Sequence, residues 1–125
     1  MNFTPKKILL VDDEEDLLAE LEAFLEEEGY EVLTALDGET ALKKIEEDKP
    51  NPVLLDLNIP KMSGFQILER IKPKETGLKV LIFSGVATQE DKERALALGA
   101  SACLNKPIHI DALLEEIERV IEEKG

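Results

Sequence analysis

Polar side chains that suit the chemistry of one site stand directly after short apolar runs of the sequence. They are Asp12, Asp13, Asp56, Ser84 and Lys106. In a parallel sheet the carboxyl ends of the strands meet at one edge, where ligands bind. If the apolar runs are such strands, we expect three carboxylates, a hydroxyl and an ammonium to converge at that edge.

Three ionised carboxylates at one edge require a cation. At a separation of ~5 Å each pair would repel by roughly 3 kcal/mol at the dielectric typical of protein sites. An acidic pocket lined with oxygen atoms suits Mg²⁺, which binds one or two carboxylates, a carbonyl, water and often a phosphate oxygen. A metal beside an aspartate indicates phosphoryl transfer to that carboxylate. The Lys106 ammonium and the Ser84 hydroxyl would then bind the phosphoryl oxygens.

The hydrophobic pattern predicts the sheet that these residues need. Apolar runs that predict strands lie at residues 8–11, 32–35, 53–55, 80–83 and, more weakly, 102–104. Apolar residues at helical spacing lie between and after these runs, so the chain reads as five βα units. Strict alternation of strand and helix is typical of an α/β fold, a doubly wound five-stranded parallel sheet with helices on both faces. Continuous runs such as "ILLV" agree, since strands buried on both faces need not alternate.

Local signals predict where some of these helices begin and end. Ser63 followed by Gln66 three residues later has the spacing of a capping box at the start of the third helix. The segment 72–77 carries no helical periodicity and is predicted to be a connecting loop. The last helix begins near Ile110 and is predicted to continue to Gly125.

Composition restricts the class of function. A chain of 125 residues is predicted to form one domain, 1–125. Its net charge of −13 argues against direct nucleic acid binding and against attraction to an anionic membrane. No apolar run approaches the length that spans a bilayer, and the N-terminal stretch has a strand pattern rather than that of a signal peptide. The single Cys103 excludes an internal disulfide and fits a reducing compartment, so we expect a cytoplasmic protein.

Motifs spread along the chain together resemble those of bacterial response-regulator receiver domains, of the chemotaxis-type receiver family. They are "ILLVDDEEDLL", "YEVLTALDGETAL", "PVLLDLNIPKMSGFQIL", "KVLIFSG" and "LGASACLNKPI". These motifs occur in the same order as in the family and cover essentially the whole chain, which makes the match specific. The resemblance implies a flavodoxin-like (βα)5 fold with strand order 2-1-3-4-5.

The resemblance also implies a signalling function for Asp56. A histidine kinase or histidine phosphotransfer protein would phosphorylate it, and a downstream protein target would recognise the changed surface. Ser84 and Lys106 match the hydroxyl and the lysine that bind the phosphoryl group, and the bond from Lys106 to Pro107 resembles the cis-proline junction of the family. Such a domain assists only its own phosphorylation and dephosphorylation and is not an enzyme.

The resemblance further implies a ligand set for Mg²⁺. Asp13, Asp56 and the backbone carbonyl of Asn58 would bind the ion, and Asp12 would act largely through water. An added phosphoryl charge beside this ion would then bias a loop with two conformations.

One position departs from the family pattern. Cys103 stands three residues before the lysine, where receivers usually carry a Tyr or Phe that turns inward on activation. Because a small thiol cannot replace that ring movement, we expect the signal to pass mainly through the loop 84–88 and the helix after it. Gly85, where Ala is common, should make that loop more mobile. We expect Cys103 itself to be a small buried apolar residue, and His109 to be a solvated residue before the last helix.

Several of these residues have plainer alternatives. Asp12 or Asp13 could cap the first helix, since aspartate is frequent at that position. Ser84 could start a turn, and Lys106 could be a surface lysine. Asn58 could be a turn residue only.

Two other functions fit the same fold class. A haloacid-dehalogenase-like phosphatase also uses an aspartate nucleophile at the end of a strand with Mg²⁺. In that family, however, the motif D-x-D follows the first strand. Here the nucleophile follows the third strand, and Asn58 stands at the second acidic position. A flavin or nucleotide carrier would need a glycine-rich loop after the first strand, which this sequence lacks.

Overall fold

The computed structural model describes residues 6–85 and 87–122, which form a parallel sheet between two layers of helices. The strands are β1 (Lys7–Val11), β2 (Glu31–Ala35), β3 (Val53–Leu55), β4 (Val80–Ser84) and β5 (Ala102–Asn105). The helices are α1 (Glu15–Glu27), α2 (Gly38–Asp48), α3 (Gly64–Ile71), α4 (Pro73–Thr76), α5 (Gln89–Ala97) and α6 (Ile110–Glu122). All strands pair in parallel, in the order β2-β1-β3-β4-β5. The predicted fold class and the order 2-1-3-4-5 are confirmed.

The central strands are buried on both faces because successive residues point to opposite helical layers. In β1, Leu9 and Val11 pack in the cluster that includes α2, α3 and α5. Ile8 and Leu10 pack in the cluster that includes α1 and α6. All four are at most 1% exposed. This explains why the run "ILLV" contains no polar residue.

The strand register brings the ends of four strands to one level. Val11 pairs with Leu55, and Leu55 pairs with Ile82. Ser84 pairs with Asn105. The residues that directly follow β1, β3 and β5 therefore emerge at the same edge as the last residue of β4.

The prediction of a loop at 72–77 is wrong, because this segment contains α4. Lys72 has a φ of 46° and separates α3 from α4. Pro73 takes the first helical position, where its missing N–H costs nothing, and Gly77 ends the turn at a φ of 79°. A helix of four residues is too short to show periodicity, so only this proline and glycine could have indicated it.

The predicted capping box is confirmed at the start of α3. The Gln66 N–H donates to the Ser63 hydroxyl at 3.3 Å, and the Ser63 N–H donates to the Gln66 side-chain oxygen at 2.9 Å. At the other end of the chain, α6 begins at Ile110 as expected, while its predicted end at Gly125 lies outside the described residues. Within 6–85 and 87–122, no helix has the length and apolar content needed to cross a membrane.

Asp37 caps α2 and gives this helix a stabilisation that depends on pH. Its carboxylate accepts the Thr40 N–H at 2.8 Å, and this bond holds the pKa of Asp37 below the ordinary 3.8. A pKa that is lowered by folding stabilises the fold above the unfolded value, and the stabilisation is lost as the pH falls through the folded value. Asparagine also caps helices but does not ionise.

We therefore expect the stability advantage of wild type over Asp37→Asn to be constant from neutral pH down to about 5 and to shrink as the pH falls below 3.8. Urea unfolding across this range measures it. An advantage that stays constant to the lowest pH would contradict the assignment of this carboxylate as the titrating cap.

Candidate functional site

The structure brings the three predicted acidic residues together at the carboxyl edge of the sheet. One carboxylate oxygen from each of Asp12, Asp13 and Asp56 lies within 4.8 Å of the others. Asp12 and Asp56 are only 4% and 7% exposed, whereas Asp13 is exposed. The cluster is therefore a pocket of carboxylates that is open to solvent on the side of Asp13.

Lys106 reaches into this pocket from the residue after β5. Its Nζ lies 2.5 Å from Asp12 Oδ2, 3.2 Å from Asp56 Oδ2 and 2.8 Å from Glu14 Oε2. Burial alone would lower the pKa of Lys106, but the hydrogen bonds to Asp12 and Glu14 and the charges of Asp12 and Asp56 outweigh it and raise that pKa well above the ordinary 10.5. The surface-lysine alternative is wrong, because the Lys106 side chain is only 15% exposed and contacts three carboxylates.

Asp12 is held at the end of β1 by one hydrogen bond from its backbone and one to its side chain. Its N–H donates to the Ala35 carbonyl at 3.1 Å, and its Oδ1 accepts the Glu14 N–H at 3.0 Å. Burial raises the pKa of Asp12, while the hydrogen bonds from Lys106 and from the Glu14 backbone oppose that rise. The N-cap of α1 is Glu14, so the alternative that Asp12 or Asp13 occupies the N-cap is wrong.

Asp56 is fixed by the backbone around it. Its N–H donates to the Val11 carbonyl at 3.0 Å, and its Oδ1 accepts the Asn58 N–H at 3.1 Å. Its Oδ2 faces the Lys106 ammonium. Asn58 is exposed, and the role of its carbonyl as a metal ligand stays a prediction.

Gly64 allows the start of α3 to lie directly against the Asp56 backbone. Its N–H donates to the Leu57 carbonyl at 2.9 Å. A Cβ added at Gly64 would lie 2.8 Å from the Asp56 carbonyl oxygen and 2.8 Å from the Leu57 Cα. Real Cβ atoms do not approach backbone this closely, so only glycine fits without a shift of one element.

Ser84 is the last residue of β4 and is fully buried. Its backbone carbonyl accepts the Lys106 N–H at 3.0 Å. Its Oγ has no hydrogen-bond partner in the part of the chain that the structure describes. A buried hydroxyl normally has a partner, and exceptions often mark a functional position. Ser84 therefore offers a hydroxyl without a partner among the described residues, at the end of β4 and next to the Lys106 backbone.

The remaining sequence predictions concern Pro107, His109 and Cys103. The Lys106–Pro107 bond is cis, as the resemblance implied, and the chain also has a cis bond at Asn51–Pro52. His109 is exposed and precedes α6, as expected. Cys103 is only half-buried rather than fully buried, and it packs against the cluster of α2, α3 and α5, where burial raises the pKa of its thiol.

The loop 84–88 is described except for one residue. Residue 86 lies outside the described ranges, and Gly85 is exposed. A Cβ at Gly85 would lie 3.8 Å from Lys106 Cβ, an ordinary contact distance. The space around residue 85 would thus also accommodate alanine. The effect of Gly85 on loop mobility stays a prediction.

Sequence reasoning missed Glu14, the third carboxylate on Lys106. The sequence places it at the start of a helix, where acidic residues are common because of the helix dipole. Nothing in the local sequence distinguishes Glu14 from Glu15 or Asp16, which follow it in the same turn. Only the position of Lys106 in the folded chain identifies it.

Comparison with known proteins agrees with this geometry. A sequence model of the family described as "Response regulator receiver domain" matches residues 8–118. The chain is 40% identical over 102 residues to the alkaline phosphatase synthesis transcriptional regulatory protein PhoP of Bacillus subtilis, a match that covers 82% of this chain and 42% of PhoP. It spans about half the length of the curated relatives it matches.

Solved structures match over nearly their whole length. A CheY-like response regulator receiver domain protein from Methanospirillum hungatei is 37% identical with a TM-score of 0.89, covering 95% of this chain and 96% of that one. The chemotaxis protein CheY4 of Vibrio cholerae is 30% identical with a TM-score of 0.87, covering 94% and 99% of the two chains.

Proposed function

This chain belongs to the response regulator receiver domain family, and on that premise we propose that Asp56 accepts a phosphoryl group from a partner protein. Receiver domains are parts of two-component response regulators and are not an enzyme family in themselves. The alternative of a haloacid-dehalogenase-like phosphatase has no support from the family match. We also propose that residues 1–125 form one receiver domain that acts in the cytoplasm.

One observation carries the proposal: the nearly buried Asp56 carboxylate pairs with the Lys106 ammonium beside two further carboxylates. Asp56 Oδ2 lies 3.2 Å from Lys106 Nζ, and one oxygen of Asp56 lies within 4.8 Å of oxygens from Asp12 and Asp13. A carboxylate that caps a helix needs none of these neighbours, and a carboxylate in a surface ion pair needs only the ammonium and no further carboxylates. A carboxylate that must carry further negative charge needs a strong positive field at that point.

The donor atoms fit a hard divalent cation. The pocket supplies carboxylate oxygens at a mutual spacing that a single ion can bridge, and Mg²⁺ prefers such oxygen ligands together with water. We propose that Asp13, Asp56 and the Asn58 carbonyl hold the ion, with Asp12 acting through water. When bound, Mg²⁺ would supply positive charge against the carboxylates and the incoming phosphoryl oxygens.

The protein residues then support a simple displacement. A carboxylate oxygen of Asp56 attacks the phosphorus of a phosphohistidine, forming a phosphorus–oxygen bond while the phosphorus–nitrogen bond breaks. The imidazole departs and takes a proton from solvent. Lys106 donates to the phosphoryl group, which carries a charge of about −1.5 to −2 in place of the −1 of the free carboxylate. The Ser84 hydroxyl, which has no partner among the described residues, donates a second hydrogen bond.

We propose that the phosphohistidine protein, a histidine kinase or histidine phosphotransfer protein, docks beside Lys106. A groove of about 650 Å³ lies there, between α1 and the start of α6. Apolar side chains such as Leu17, Leu21 and Ile110 line it, and Glu14 and Glu20 lie among the lining residues. An amphipathic helix with basic residues would suit both features. A downstream protein target would bind after the phosphorylated state has formed.

The direct test is incubation of the full chain with acetyl phosphate and Mg²⁺, followed by intact-mass spectrometry. We expect the mass of one phosphoryl group to be added, and the addition to disappear when EDTA replaces Mg²⁺. Peptide mapping after borohydride trapping should identify Asp56. Modification at a different residue, or none in the presence of Mg²⁺, would contradict the proposal.

Phosphorylation is expected to change the segment 84–98 more than the surroundings of Cys103. The Ser84 hydroxyl lies at the end of β4, so a bond from it to the phosphoryl group would pull on the loop before α5. The thiol of Cys103 has no ring that could turn inward. Backbone amide shifts with and without beryllofluoride and Mg²⁺ measure this difference. Unchanged amides in 84–98 with large shifts near residue 103 would show that the signal takes another route.

A further inference from the structure

We propose that Glu14 is a positioning residue that holds the Lys106 ammonium while a divalent cation occupies the acidic pocket, an inference that rests on the proposed function of that pocket. Glu14 is not one of the proposed metal ligands. Its role is to allow the lysine and the metal to be present together.

Lys106 and a metal ion compete for the same oxygen atoms. The ammonium lies 2.5 Å from Asp12 Oδ2 and 3.2 Å from Asp56 Oδ2, so two of the three carboxylates already have a positive partner. Mg²⁺ takes carboxylate oxygens at about 2.0–2.1 Å and would repel an ammonium at these positions. Because Lys106 is tethered to the chain after β5, it can move aside but cannot leave.

Glu14 offers the ammonium a third carboxylate partner, and this one lies on the solvent side. Glu14 Oε2 lies 2.8 Å from Lys106 Nζ, and the Glu14 side chain is 59% exposed whereas that of Asp12 is 6% exposed. The Glu14 N–H is bonded to Asp12 Oδ1, which fixes its backbone against the pocket. An ammonium that moves off Asp12 toward solvent therefore keeps a charge-assisted hydrogen bond.

Helix α1 does not explain this contact. Glu14 is the N-cap of α1, but its side chain makes no capping hydrogen bond. The acidic residues that favour the start of a helix are present without it, as Glu15 and Asp16. The Glu14 side chain instead turns to Lys106, a residue 92 positions away in the sequence.

The test compares Mg²⁺ affinity in three versions of the full chain, titrated by amide chemical shifts without any phosphoryl donor. We expect Glu14→Gln to weaken Mg²⁺ binding by roughly 10-fold, the low end of the usual cost of losing an outer-shell partner, because Lys106 then has only Asp12 and Asp56 to bind. The matched control is Glu15→Gln, which removes the same charge from an adjacent exposed position. We expect it to weaken binding by less than about 2-fold, since exposed charges are screened.

A double-mutant cycle separates positioning from simple charge. In a Lys106→Met background, Glu14→Gln should weaken Mg²⁺ binding no more than Glu15→Gln does. An effect of Glu14→Gln that is equal with and without Lys106, or equal to that of Glu15→Gln, would overturn the positioning role and leave the metal site intact.

The outcomes also separate this inference from the proposed function. A wild-type chain without saturable Mg²⁺ binding would overturn the metal site and the positioning role together. A chain that binds Mg²⁺ with the expected cycle but takes no phosphoryl group would support the role of Glu14 and contradict phosphorylation of Asp56.

Discussion

Asp56→Asn is expected to abolish the uptake of a phosphoryl group from acetyl phosphate. The amide has nearly the shape of the carboxylate, so the fold and the bond from the Asn58 N–H should survive. Its oxygen, however, lacks the negative charge that attacks phosphorus and cannot form a stable acyl phosphate. The substitution also removes one of three carboxylates from the pocket, so we expect weaker Mg²⁺ binding as a second effect.

The measurement is intact mass after a fixed incubation, with the unfolding free energy recorded for the same sample. Asp16→Asn is the matched control, because it removes the same charge from an exposed position in the first turn of α1. We expect that control to label like wild type. If Asp56→Asn is labelled as fast as Asp16→Asn, the identification of Asp56 as the acceptor is wrong.

Gly64→Ala is expected to destabilise the domain by about 1–3 kcal/mol, the usual cost of overpacking. The added Cβ would meet the Asp56 carbonyl oxygen and the Leu57 Cα, which are backbone atoms and cannot rotate away. The start of α3 or the end of β3 must therefore shift. Alanine is otherwise preferred over glycine in a helix, so helix propensity alone predicts the opposite sign.

The same shift should reach the chemistry, because the clash falls on Asp56, the residue that we propose as the phosphoryl acceptor. We expect phosphorylation of Gly64→Ala to be slower than that of wild type even where the variant is fully folded. Gly85→Ala is the control on the other side of the pocket, where the new Cβ has ordinary contact distances. Its unfolding free energy should stay within about 0.5 kcal/mol of wild type. Equal stability of the two variants in urea would contradict the close approach at Gly64.

The sequence predicted the fold well because strand burial and strand ends leave strong local signals. The apolar run before Asp12 and the run before Asp56 both became strands of the sheet, and the parallel register then placed the two carboxylates together. Lys106 was predicted to lie at the site because it follows a weak apolar run, and Ser84 because it follows a strong apolar run. In each case a change from apolar to polar residues marks the end of a strand.

The features that the sequence did not predict depend on distances in space. Glu14 contacts Lys106 only because β1 and β5 end at the same edge, and its sequence neighbours are equally acidic. The partial exposure of Cys103 depends on how completely α5 covers its face of β5, which periodicity does not measure. Helix α4 is shorter than the period of any hydrophobic pattern.

The ammonium that bridges the acidic pocket makes Lys106 an internal counterion. A buried pair of like charges would otherwise oppose folding, and here a covalently attached cation cancels part of that repulsion. The unphosphorylated domain should consequently fold in cells or buffers that are depleted of divalent ions, but it should not accept a phosphoryl group there. Supply of magnesium would then govern whether the receiver is competent, while its structural integrity would be independent of that supply.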